Sequence, residues 1–500
     1  MCIRDSYRTA PGLDYTTTLE RAVADCEARG IPIELVQIDS WFYPQEHLRP
    51  VSDEGAPIVP PSGMMRWEPR EDLFPEGFAA LRQRLGHRPL AFHSRHFASA
   101  SPYFARHAAW VDGAYAHPQG RELFDHLLRS AADLGAITYE QDWLVEAFFG
   151  VRGLRAGAGR ARRWQEMLDD AADAHGLTLQ WCMATPADFL QTVTLQHVTS
   201  IRTSGDYRYL FDNGLNWVWF LHVNALARGL GLNAFKDVFI SNRDAEPYAE
   251  VEALLAALSG GPVGIGDAIG AADRDLVMRT CREDGVLVKP DAPLAAIDRC
   301  FLHHGHLTPS LLIGETYSRH GDHQWLYVTT FHASSRREAL QERVALADLG
   351  AVRPRRPVIA YDWRRGSIAR LEPEGGWDVT LEFQDWDYRV LCPLLPGDRA
   401  VIGDVRRYAT MGDRRIANVE AGVDAVAFDV MGMPGTIAEI HGYAAKSLRG
   451  VRAATYRGER TVRHVDAVAD EPDVFSHDAS GRWVLRVSID EGGCVRVTVS

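Results

Sequence analysis

Two aspartates carry the chemistry open to this sequence. Asp142 closes the run Ile137-Thr-Tyr-Glu-Gln-Asp142, and Asp206 closes Arg202-Thr-Ser-Gly-Asp206. Each follows a short stretch of strand character, so each carboxylate falls at or just past a strand's carboxyl end. Two carboxylates facing one cavity are what cleavage of a glycosidic bond requires. One attacks or stabilises the anomeric carbon; the other protonates the leaving oxygen and later activates water. A separation of about 5 to 5.5 Å would imply retention of configuration. Asp39 and Asp267 are two further acids at strand ends. By the period-two rule Glu140 shares a strand face with Asp142. A second carboxylate on that face opposes ionisation of the first unless a cation compensates, and Arg202, Arg95 or Lys236 could supply it.

Other side chains qualify as binding groups. Trp41 and Trp181 are candidate sugar platforms, with core packing an equal alternative for each. His93, on the same face as Arg95, is expected to line the top of the cavity. His93 and His96 lie three apart in a strand and so point to opposite faces, which disfavours a shared metal ion. The glycines of Gly260–Gly266 lack the lysine of a phosphate loop and the spacing of a dinucleotide fingerprint. No serine sits in a G-x-S-x-G elbow. No cofactor and no metal are therefore expected.

These residues need a scaffold that gathers strand ends. Seven strands are expected, at 33–39, 89–95, 137–142, 177–183, 198–202, 237–240 and 262–266. Helical spacing falls at 14–29, 78–85, 120–134, 162–175, 188–196, 216–228, 248–258 and 274–284. Asp14 is placed to cap the first of these. Strand and helix alternating in this way are the mark of βαβ units. The expected fold is α/β, a (β/α)8 barrel over residues 7–300, with Pro-, Gly- and charge-rich residues 44–75 as a long loop over its mouth. Such a barrel needs eight strands, and its active site lies at their carboxyl ends. After about residue 300 the period turns to two, with turn signals between short runs. Residues 301–395 read as an antiparallel β domain, and 396–500 as a second β domain or its continuation, of sandwich type.

The missing strand belongs before Asp14. Met1-Cys-Ile-Arg-Asp-Ser6 reads as a translated sequencing adapter, as in a metagenomic fragment cut upstream. A barrel one strand short exposes unpaired edges, so the chain as it stands is expected to be poorly soluble or inactive.

Composition narrows the partners. A net charge of −13 with no basic block argues against nucleic acid and anionic membranes. No apolar run reaches the roughly 18 to 20 residues of a membrane span. The seven cysteines have no C-x-x-C spacing and read as buried free thiols, which favours a reducing, cytoplasmic compartment. A small glycoside or oligosaccharide is the expected partner; subunit number, including a homo-oligomer, is left open.

Taken together and in order, the motifs resemble glycoside hydrolase clan D. That clan includes the retaining α-galactosidases of families 27 and 36 and the raffinose-synthase and alkaline α-galactosidase group. Ile38-Asp-Ser-Trp41 resembles its substrate-binding motif at strand 2, and Glu140-Gln-Asp142 stands at its Lys-x-Asp nucleophile motif. Arg202-Thr-Ser-Gly-Asp206 matches its Arg-x-x-x-Asp, where Arg binds sugar and Asp is the acid/base. Leu258–Asp267 and Cys281–Pro290 look like its strand-8 segment and the helix and turn after it. The resemblance implies an α-galactosidase with Asp142 as nucleophile and Asp206 as acid/base. Asp39, Trp41, His93, Glu140, Trp181, Arg202 and Asp267 would bind substrate. Two departures stand out: Ser40 replaces an Asp, and Glu140 replaces the lysine that would hold sugar hydroxyls. Two other readings share the site. One is an α-galactosyl transglycosylase of the raffinose-synthase kind. The other is a carbohydrate-binding protein on a barrel that has lost catalysis.

Overall fold

In the computed structural model of the chain, the described residues are 2–4, 8–47, 62–207, 212–303, 306–350, 354, 356–455, 457–469, 471 and 473–500. Much of the expected loop at 44–75 therefore lies outside them. The chain forms two compact units. The first comprises Met1–Tyr207, Gly229–Ala249 and Gly261–Arg274; the second comprises Arg208–Arg228, Glu250–Gly260 and Asp275–Ser500. The division follows no single cut in the sequence.

The first unit is built on an eight-stranded parallel sheet. Its strands are β1 (Cys2–Arg4), β2 (Leu35–Ile38), β3 (Leu90–Ser94), β4 (Ala136–Gln141), β5 (Thr178–Trp181), β6 (Val198–Arg202), β7 (Asn233–Phe235) and β8 (Gly264–Ile265). Their order in the sheet is β7-β6-β5-β4-β3-β2-β1-β8. Just past β7, Phe239 makes an isolated parallel bridge to Ile265. Between strands run helices with one apolar face. Tyr15–Ala28 buries Tyr15, Leu19, Val23 and Cys26, and the Asp14 side chain caps it by accepting from Thr17 N at 2.7 Å. Arg160–His175 ends at Gly176, whose φ of 67° suits glycine.

Four details depart from the sequence reading. The strand expected to be missing is present: Cys2–Arg4 pairs in parallel with Leu35–Gln37 on one side, and its Cys2 and Ile3 with Gly264–Ile265 on the other. Three residues suffice because both neighbours offer ladder groups. The seventh strand lies at 233–235, not 237–240. Asp237 is engaged locally instead: its carboxylate takes Tyr207 N at 2.7 Å and its own N–H goes to Ser204 Oγ at 2.9 Å. Strand 2 stops at Ile38, and Ser40–Phe42 turns into a 3-10 helix capped by Asp39. Residues 97–118 insert a three-stranded antiparallel sheet after β3.

The second unit is rich in antiparallel β-structure. A six-stranded sheet, built largely from Leu312–His320, His323–Phe331 and Trp386–Pro393, is joined by a two-stranded pair and two five-stranded sheets. In the five-stranded sheets, strands such as Val426–Met431 and Arg482–Ser488 bury every second residue, so each has one covered face. The helix expected over 274–284 stops at Val277, because Cys281 pairs back on Leu287 around Gly285, at φ 81°. Cys26, Cys182, Cys281, Cys300 and Cys392 are buried free thiols, whereas Cys494 is exposed on its strand. No described helix is long and apolar enough to cross a membrane.

Candidate active site

The carboxyl ends of β2, β3, β4 and β6 carry buried charged groups. Asp142 follows β4 and is 5% exposed. Its N–H donates to Ser94 O at 2.8 Å, which locks the strand end to β3. Its Oδ1 accepts Trp143 N at 2.6 Å, and its Oδ2 lies 3.0 Å from His93 Nε2. An ionised carboxylate only accepts, so Nε2 carries the proton between them. The other ring nitrogen, Nδ1, faces the Tyr43 hydroxyl at 2.9 Å, and Trp67 Nε1 donates to His93 O at 3.0 Å. The imidazole is thus held at both ring nitrogens, while Trp67 fixes the backbone carbonyl. Asp39 comes within 3.8 Å of the same Nε2.

These contacts set the charge of Asp142. Burial pushes its carboxyl up. The hydrogen bond from His93, the charges of His93 and Arg202, and the Cys182 thiol outweigh that and hold it below the ordinary carboxylate range. Cys182 itself is driven up by burial and stays a thiol. A buried carboxylate held ionised suits a nucleophile or a cation stabiliser.

Arg202 ends β6 and is buried. Its Nη2 bonds Asp206 Oδ1 at 2.7 Å, and its Nη1 lies 3.8 Å from Asp237 Oδ1. Burial disfavours its charge, but the carboxylates of Asp237, Asp206 and Asp142 reinforce it. Asp206 sits on the loop beyond β6 with a side chain 60% exposed. Arg202 therefore links the two aspartates electrostatically. Its Nε and Nη1 have no hydrogen-bond partner among the described residues. The same holds for Nε1 of Trp181, which is fully buried at the end of β5.

The remaining expected residues divide. Glu140 is buried and accepts Gln37 Nε2 at 2.7 Å. It lines a cavity of about 20 Å³ with Gln37, Lys236 and Asp237. Of the three cations considered, Lys236 is the one that shares this cavity, while Arg95 Nη1 is taken by Gln45 Oε1 and Ser62 O, at 2.9 and 2.8 Å. Trp41 is 4% exposed and its indole N–H donates to Tyr15 Oη at 2.7 Å, so it packs in the interior. Asp267 accepts Ser241 N, Ser241 Oγ and Asn242 N at 2.8 to 3.0 Å. It pins the 241–242 turn with its acceptor sites already engaged. Among the described residues no cluster of three or more His, Cys, Asp or Glu could hold a metal.

Sequence reasoning missed Tyr43, Cys182, Asp237 and Trp143. Trp143 has φ 57°, the left-handed region that a bulky residue occupies at a cost of about 1–2 kcal/mol. Its half-buried ring lies under the Arg95 guanidinium, 4.2 Å from the centroid. The signal was present, since Trp143 directly follows Asp142, but its backbone turn is invisible to periodicity.

No protein-family model matches this chain, and no curated protein matches it. Solved structures do. One is a GH27 β-L-arabinopyranosidase from Geobacillus stearothermophilus, with a TM-score of 0.53 and 14% identity over 79% of this chain and 96% of that one. Another is the cycloalternan-forming enzyme from Listeria monocytogenes in complex with a pentasaccharide. It gives a TM-score of 0.52 and 8% identity over 100% of this chain and 53% of that one. At these identities the likeness establishes a shared fold.

Proposed function

We propose that the chain is a retaining glycoside hydrolase of the α-galactosidase type. Asp142 attacks the anomeric carbon. Asp206 protonates the leaving oxygen, then takes a proton from the water that releases the sugar. The eight strands close as a barrel through the Phe239–Ile265 bridge, with the site at their carboxyl ends.

One observation carries this reading. A buried carboxylate held ionised by His93 stands in the field of Arg202, whose buried Nε and Nη1 have no hydrogen-bond partner among the described residues. Buried donors left unpaired are costly, and a sugar's ring hydroxyls are acceptors that could satisfy them. Trp181 Nε1 is a second such donor. Asp206 spends the free state bonded to Arg202 and must exchange that contact for the leaving oxygen. Glu140, paired with Gln37, stands two residues before Asp142 and lines the small cavity with Lys236 and Asp237. The similar arabinopyranosidase gives a bounded choice of glycone: a β-L-arabinopyranoside has the ring configuration of an α-D-galactoside without the hydroxymethyl group.

The test is hydrolysis of the two aryl glycosides by wild type, Asp142→Ala and Asp206→Ala. Loss of turnover in each folded variant supports the reading; full activity in either sinks it. Product analysis with sucrose or myo-inositol as acceptor separates hydrolysis from transfer.

A further inference from the structure

A second group of side chains stands on the β3 side of Asp142, away from Arg202 and Trp181. Arg95 and His96 follow β3, and Trp143 and Glu146 follow β4. The left-handed backbone at Trp143 sends its N–H to Asp142 Oδ1 and leaves its ring half-buried, backed by Arg95 at 4.2 Å. The His96 ring meets the same indole edge-on at 5.7 Å, and Tyr115 packs on His96 at 4.8 Å. Tyr115 comes from the inserted sheet after β3, so that insertion has a task here: it walls this side of the site.

The polar atoms of the group are incomplete. Arg95 is 2% exposed and His96 4% exposed, yet Arg95 Nε and His96 Nδ1 have no hydrogen-bond partner among the described residues. Glu146 Oε2 is likewise buried and unpartnered. Glu146 follows Trp143 by three residues, in the first turn of the helix Leu144–Gly150. An aromatic face flanked by an unpaired donor and an unpaired carboxylate oxygen matches a polyhydroxylated ring. Its apolar face stacks on the indole face opposite Arg95, and a hydroxyl at its rim can donate to the Glu146 oxygen.

We propose that Trp143, Arg95, His96 and Glu146 form a binding site for the leaving-group sugar, a second pyranose ring next to the scissile bond. The site rests on the hydrolase reading above and extends it, because it makes the natural substrate an oligosaccharide. It sits beside the nucleophile through Trp143 and on the side opposite the Arg202 donors, so one substrate can fill both.

Two substrates with the same glycone test it. An α-galactosyl fluoride has a leaving group too small to reach Trp143; an α-linked galactosyl disaccharide places a pyranose there. The readout is the ratio of kcat/KM for the disaccharide to that for the fluoride. Trp143→Ala is expected to lower the ratio about tenfold, the loss of one stacked ring. Trp143→Phe is expected to keep it within about threefold. Glu146→Gln changes no volume and tests the site without touching the strained turn; its ratio is expected to fall about threefold to tenfold. Wild-type turnover of both substrates with ratios unmoved in Trp143→Ala and Glu146→Gln overturns the site and leaves the hydrolase reading standing. A folded wild type that turns over neither overturns the hydrolase reading and the site with it.

Discussion

Replacing His93 with Phe removes the side chain that bonds Asp142 Oδ2, at 3.0 Å, while keeping a ring in the same buried space. A hydrogen bond to a charged group contributes about 1.5–3 kcal/mol, and 1.36 kcal/mol corresponds to one pKa unit. The Asp142 carboxyl should therefore rise by about one to two units, since burial then acts with less opposition. In the wild type its folded value lies below the unfolded one. Asp142 thus adds stability above the ordinary Asp value of about 3.9, and that contribution is lost as pH falls through the folded value. The variant should lose part of this increment at neutral pH, seen as a lower urea midpoint with an unchanged slope. It should also show an acid limb in kcat/KM displaced upward by about one to two pH units, because Asp142 must be ionised to attack. Both readouts are needed: a purely structural histidine would lower the midpoint and leave the limb in place. A variant whose acid limb coincides with that of the wild type would refute the claim that His93 sets the charge of Asp142.

Three further outcomes follow from the geometry. Asp206→Ala should cut kcat/KM about 10²- to 10⁴-fold for substrates with alkoxide leaving groups and far less for a galactosyl fluoride, which needs no protonation; an equal loss on both would remove Asp206 from the acid role. Asp267→Ala should destabilise by about 2–4 kcal/mol by freeing the Ser241–Asn242 turn, measured by urea unfolding; a raised KM at unchanged stability would instead make Asp267 a sugar ligand. Lys289 donates to Ala256 O at 2.6 Å, and burial pulls its ammonium down to about 7 from 10.5. The unfolded chain then binds more protons between those values, so this group makes stability rise with pH across that window. Lys289→Met should flatten that rise in urea titrations, and an identical pH profile would contradict it.

The parallel-sheet scaffold was largely legible in the sequence because its signals are local. Asp14 caps its helix, and Val198–Arg202 forms a strand where apolar alternation placed it. What escaped was set by distant partners. Cys2–Arg4 is too short to carry a period and is a strand only because β2 and β8 flank it. Residues 233–235 displaced 237–240 as the seventh strand because Tyr207 and Ser204 claim Asp237. Trp41 read equally as sugar platform or core; which of the two rests on contacts such as its indole N–H to Tyr15, which lie outside its local sequence. The sheet inserted at 97–118, which brings Tyr115 to His96, is made of strands of two to four residues, below the length that alternation can reveal.

The central claim is that Asp142 forms a covalent bond to the sugar. Incubation with a 2-deoxy-2-fluoro galactosyl donor, followed by proteolysis and mass spectrometry, reads it directly, because the fluorine slows release of the glycosyl-enzyme. One fluorosugar per chain is expected, on the peptide containing Asp142, and none in Asp142→Ala. A label on Asp39, Glu140 or Asp206, or turnover of the fluoro donor by Asp142→Ala, would contradict it.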